Sequence, residues 1–96
     1  MTKTLLIWRR GDTWIATWRV ANHSDILLHS ASVAKTEHDS FHDVIQYIHA
    51  HSRAYGFEPG YFTTYYVNAE DSYNREVLNV FDETELTMFY LSLPNG

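Results

Sequence analysis

Short runs rich in β-branched and aromatic residues, broken by turn residues, fill the first third of the chain; apolar residues then recur at three- and four-residue intervals, and strand-like runs return after them. Residues 4–10 (TLLIWRR) and 13–20 (TWIATWRV) are rich in β-branched and aromatic types, and Gly11-Asp12 between them is a turn signal. This predicts a β-hairpin. On its second strand Trp14, Ala16, Trp18 and Val20 share one face, and Thr13, Ile15, Thr17 and Arg19 share the other. The polar run Ala21-Asn22-His23-Ser24-Asp25 reads as a turn, and residues 26–34 read as a third strand completing an antiparallel meander.

The helical period follows. Phe41, Val44, Ile45, Ile48, Ser52 and Tyr55 form one stripe, with Ser40 and Asp43 placed as a capping pair and Gly56 placed as a left-handed stop before Glu58-Pro59-Gly60. The spacing predicts a helix over 40–55. Residues 61–68 (YFTTYYVN) read as a fourth strand, 69–72 as a polar turn and 73–81 as a fifth strand. In the tail, Asp82 and Glu85 fit an acidic capping box, and Leu86, Phe89, Tyr90 and Leu93 keep helical spacing. Leu86, Met88 and Tyr90 would equally alternate in a strand; a short C-terminal helix is the preferred reading. The order β-β-β-α-β-β with that short helix predicts a single α+β domain over 1–96. Its expected core is an antiparallel sheet of about five strands with one main helix packed on it. This element order resembles that of the small sheet-and-helix antitoxins of the HicB type, whose first strands also precede a helix. No residue motif accompanies the likeness, so it assigns no site.

Composition narrows the function classes. The chain has 96 residues, 45% of them apolar, with only 4 Gly and 2 Pro, which is the make-up of a folded domain. It has no cysteine, which removes disulfides, thiolate metal ribbons and thiol nucleophiles and favours a cytoplasmic setting. The apolar run in residues 1–8 is too short for a signal-peptide core, and no stretch has the length of a membrane span. Gly-rich phosphate loops, nucleophile elbows and HExxH are absent from the sequence. The formal charge of −5 argues against a protein built to neutralise phosphates.

Three groups of residues carry candidate chemistry. His38, His42 and His49 would fall on one narrow stripe if the helix included all three, and His38 with His42 has the i, i+4 spacing of a chelating pair. Solvent-edge histidines with no ligand role are the simpler expectation, and no cofactor is expected. The strand aromatics Trp14, Trp18, Tyr65 and Tyr66 outnumber what one helix covers, so some rings are expected at a partner-binding face or a homodimer contact. Aromatic strands also stack single-stranded bases, and Lys3, Arg9, Arg10 and Arg19 of the hairpin would be the basic surround. The acids Glu70, Asp71, Asp82, Glu83 and Glu85 sit in a turn and at a helix start, where they suit capping and also suit steering towards a basic protein surface.

Together these features favour a small, non-enzymatic protein-interaction or inhibitor module whose partner is another protein with a basic surface. In size and charge the chain is similar to many phage-encoded antagonists of host defence, anti-CRISPR proteins among them. A nucleic-acid-binding or nuclease effector is the natural target of such a protein. A His-dependent metal-binding enzyme and an aromatic-sheet nucleic-acid-binding module are the alternatives.

Overall fold

In this computed structural model, residues 2–21, 30–68, 71–80 and 82–93 are described. Strands β1 (Thr2–Arg10) and β2 (Thr13–Ala21) pair antiparallel from Thr2↔Ala21 to Arg10↔Thr13. The turn between them places Gly11 at φ 61°, in the left-handed region that a side chain disfavours. Strand β3 (Ser30–His38) adds antiparallel to the outer side of β2, with a register shift at Trp18/Arg19. It runs four residues beyond the predicted end at Ala34. Its last turn of sequence, Lys35-Thr36-Glu37-His38, is polar because β3 is an edge strand, and that polarity concealed it. The predicted start, residues 26–29, lies outside the described residues.

Helix α1 spans Phe41–His51, and a 3₁₀ turn continues it over Ser52–Tyr55, so the predicted segment 40–55 is found in two pieces. Ser40 Oγ accepts the Asp43 N–H at 3.1 Å, as the capping pattern predicted. Gly56, at φ 85°, closes the C-terminal end, and the Phe57 N–H returns to the Ser52 carbonyl at 2.9 Å. Strands β4 (Thr63–Asn68) and β5 (Asp71–Leu78) follow, then helix α2 (Glu83–Ser92). Asp82 caps α2 by accepting the Glu85 N–H at 3.0 Å, so the C-terminal segment is a helix rather than a strand. Asp71 and Ser72, read as turn residues, begin β5 instead, and Phe81, read as its last residue, lies outside the described residues.

The five strands lie in the order β3-β2-β1-β4-β5. The fold is α+β as expected, but the sheet is mixed rather than antiparallel, because β4 runs parallel to β1 in the register Thr4↔Thr63 to Arg9↔Asn68. Connectivity requires this. Three meander strands end at the far side of the sheet from where β1 began, α1 carries the chain back over one face, and β4 then has to run in the direction of β1.

Both helices cover the same sheet face. Leu5, Ile7, Trp14, Ala16 and Trp18 from the strands meet Phe41, Val44 and Ile48 of α1, and Leu86 and Phe89 of α2 join the same core. Trp18, 0% exposed, donates its indole N–H to Ser52 Oγ at 3.0 Å and packs edge-on against Tyr55 at 4.9 Å. The other sheet face carries buried Thr4, Leu6, Ile15, Thr17 and Val67. Among the described residues, no helix is long and apolar enough to cross a membrane. The Cα radius of gyration is 12.5 Å, as expected for a compact chain of this length.

Ile48 sits wholly within this core. Ile48→Ala is expected to cost roughly 2–5 kcal/mol in denaturant unfolding. A loss below about 0.5 kcal/mol, the scale of a surface substitution, would mean that α1 faces the sheet differently.

Candidate interaction surface

The sequence-predicted residues separate into groups once they are placed. Trp14 and Trp18 are core residues and present no ring to a partner, which corrects their candidacy as surface anchors. The reason is coverage. Alternation sends both rings to the helix face, where α1 takes Trp18 and the added cover of Phe41 takes Trp14 at 5.1 Å. Tyr66 lies on that face too, within 6.2 Å of Trp14 and 5.0 Å of Phe89. Burial there pushes its phenol pKa up. Tyr65 projects to the second face and is half-buried. Glu70 and the Asp71 side chain lie outside the described residues.

The histidine stripe does not form. His38 ends β3, with Asp39 and Ser40 between it and α1, so it has no i, i+4 relation to His42 on a helix. His38 Nε2 instead meets Thr36 Oγ1 at 2.8 Å, and its ring packs 5.0 Å from Tyr47. His42 is exposed, and His49 Nε2 donates to the Val80 carbonyl, tying α1 to the segment between β5 and α2. Tyr47 also stacks on His51 at 3.9 Å and shares a 2.7 Å hydrogen bond with the Tyr55 hydroxyl. Among the described residues, no three His, Asp or Glu side chains gather as metal ligands.

The hairpin cations do not form one patch either. Lys3 donates to the Gly56 carbonyl at 2.7 Å, and Arg9 lies over the Trp14 ring, both on the helix face. Arg10 lies over Trp8 on the second face and pairs with Glu37 at 3.5 Å. Arg19, opposite Thr4 in the register, belongs to that second face as well. Strand alternation divides a run that is contiguous in sequence.

Solvent-facing apolar residues concentrate instead on and beside α2. Leu91 is 76% exposed, Met88 67% and Val77 of the edge strand β5 63%, and Tyr90 is exposed as well. On one side of α2 a shallow trough of about 490 Å³ runs along β5, lined by Val77, Met88 and Phe89 with the carboxylates of Glu76, Asp82 and Glu85. On the other side a cleft of about 570 Å³ separates α2 from α1, lined by Phe41, Ile45, Tyr90 and Leu91 with Glu83 at its edge. Asp82, Glu83 and Glu85, named from the sequence as candidates, therefore border an exposed apolar helix. The sequence pattern marks none of Met88, Leu91 and Val77 as a candidate site residue. The signal for them was that the apolar residues of α2 are spread around its circumference, whereas one buried stripe accounts for only part of them. Comparison with known protein families, curated proteins and solved structures finds no match for the chain.

His38, at the junction of β3 and α1, gives the fold a pH dependence. Desolvation holds its imidazole below the ordinary histidine range, and Asp43 and Asp39 oppose that shift more weakly. The unfolded chain thus takes up the proton first, near pH 6.5. The stability present above that pH is lost as pH falls through the lower folded value. Thermal melts at pH 7.5 and 5.5 should show a smaller acid-induced drop for His38→Gln than for the parent. Equal drops would place the titration elsewhere.

Proposed function

We propose that this chain is a small, non-enzymatic protein-interaction module that acts in the cytoplasm as an inhibitor of a protein with a basic surface. A nucleic-acid-binding or nuclease effector fits that description, in the manner of phage antagonists of host defence. The observation that carries the reading is α2: a helix with exposed Met88, Tyr90 and Leu91, bordered by exposed Asp82, Glu83 and Glu85. Contiguous exposed apolar residues with a charged rim are the anatomy of a binding surface. Carboxylates on the rim speed encounter with a positive partner.

The competing readings have less support. Base stacking on the sheet keeps only part of its basic surround, because Lys3 and Arg9 face the helices and Arg10 is paired with Glu37, while Arg19 and Lys35 stand on the second face with Trp8. A His-dependent metal enzyme lacks a ligand set, because no three His, Asp or Glu side chains gather as metal ligands among the described residues, although His38, His49 and His51 line one open depression with Asp43. Self-association has an observation of its own, since β3 is a nine-residue edge strand with exposed Val33.

The test uses charge reversal. Glu83→Lys with Glu85→Lys leaves the Asp82 cap in place and weakens helix-dipole complementarity by about 0.3–1 kcal/mol at each position, so the fold is retained. Association with a partner recovered from bacterial lysate should slow several-fold, most at low salt where screening is weak. Unchanged association across the salt series would rule out charge steering at this rim. Tight binding of single-stranded RNA or DNA by the purified chain would overturn the reading as a whole.

A further inference from the structure

The outward side of α2 has a pattern of its own. Leu86 and Phe89 face the core. At about 100° per residue, Thr84, Thr87, Met88 and Leu91 fall on the opposite side, spaced i, i+3, i+4 and i+7, and all four are exposed. That is the spacing by which one helix packs on another, with Met88 and Leu91 as its apolar residues and the two Thr beside them. Glu83 and Glu85 lie roughly a quarter-turn to either side of the seam. They occupy the flanking places from which charged residues choose a helical partner. The helix sequence ETELTMFYLS contains no Lys, Arg or His.

Building on the interaction reading above, we infer that the Thr84–Thr87–Met88–Leu91 face of α2 docks an amphipathic helix of a partner whose apolar stripe is flanked by Lys or Arg. Charge selects this occupant. A second copy pairing through the same seam would bring another Glu83 and Glu85 with no Lys, Arg or His on its α2 to meet them, and like charges set side by side disfavour the pairing. A basic-flanked helix meets carboxylates on both sides of the seam. Glu76 of β5 and the Asp82 carboxylate extend the acidic border along the trough. The ten residues of α2 make a seam about 15 Å long, which fits two to three turns of the incoming helix.

The probe is a synthetic 16-residue helical peptide with Leu at i, i+3, i+4 and i+7 spacing and Lys on both flanks, compared with the same peptide carrying Glu on the flanks. Fluorescence anisotropy should show the Lys peptide binding at least tenfold more tightly than the Glu peptide. Leu91→Glu and Met88→Glu should each weaken it at least tenfold, while Val33→Glu on the distant edge strand should leave it unchanged. Met88→Gln, a milder change, guards against misfolding of the Glu variants and should weaken binding in the same direction. Equal affinity for the two peptides, no binding of either, or indifference to Leu91→Glu would overturn the inference. So would a concentration-dependent dimer in sedimentation that Leu91→Glu abolishes, because the seam would then belong to a second copy. A lysate partner retained equally by the parent and by Leu91→Glu would overturn the seam while leaving the interaction reading standing. Tight binding of nucleic acid would remove that reading too.

Discussion

The Trp18 indole determines where the helices go. It is the largest fully buried side chain, it stands at the centre of β2, and its N–H has to find an acceptor away from water. Ser52 supplies that acceptor from the junction of α1 and the 3₁₀ turn, and Tyr47 and Tyr55 close over the ring at 5.9 and 4.9 Å. This fixes how far α1 travels across the sheet before it stops at Gly56. Lys3, bonded to the Gly56 carbonyl, ties that stopping point to the start of β1. The chain is thereby delivered to the open side of β1, where β4 pairs in parallel and β5 becomes the edge.

The surface consequence is at the other end of the same face. α1 covers Trp18 well but reaches the Trp14 end of the sheet only through Phe41, so α2 is needed to complete the cover. Phe89 sits 5.8 Å from Phe41 and 5.0 Å from Tyr66, and Tyr90 stacks on Phe41 at 5.2 Å. A helix needed only as a cover would be polar on its outer side. α2 places Met88 and Leu91 there, between Glu83 and Glu85. Stability of the described fold gives no reason for those two residues, whereas a second helix against them does.

Much of this was legible in the sequence. The hairpin, the Ser40 and Asp82 caps, the Gly56 stop and the buried face of α1 all follow from local rules that act within a few residues. What local rules do not encode is pairing. Nothing in residues 61–68 says that β4 joins β1 in parallel; the parity of three strands and one helix implies it only once β1 is known as the neighbour. The histidine stripe failed by a boundary of three residues, because the helix begins at Phe41 and leaves His38 on a strand. Alternation puts Trp14 and Trp18 on one face, but it does not say how much of that face α1 and α2 together cover. A single stripe from Leu86 to Leu93 does not reveal the role of Met88 and Leu91, which form a second stripe on the same helix.

The central claim is that the outward face of α2 is the binding surface. Hydrogen–deuterium exchange of the intact chain, with and without a saturating Lys-flanked helical peptide, reads that claim residue by residue. Added protection should be confined to residues 82–93 and the facing end of β5, with the β1–β2 hairpin unchanged. Protection appearing on the hairpin or on β3 while α2 exchanges as before would contradict it.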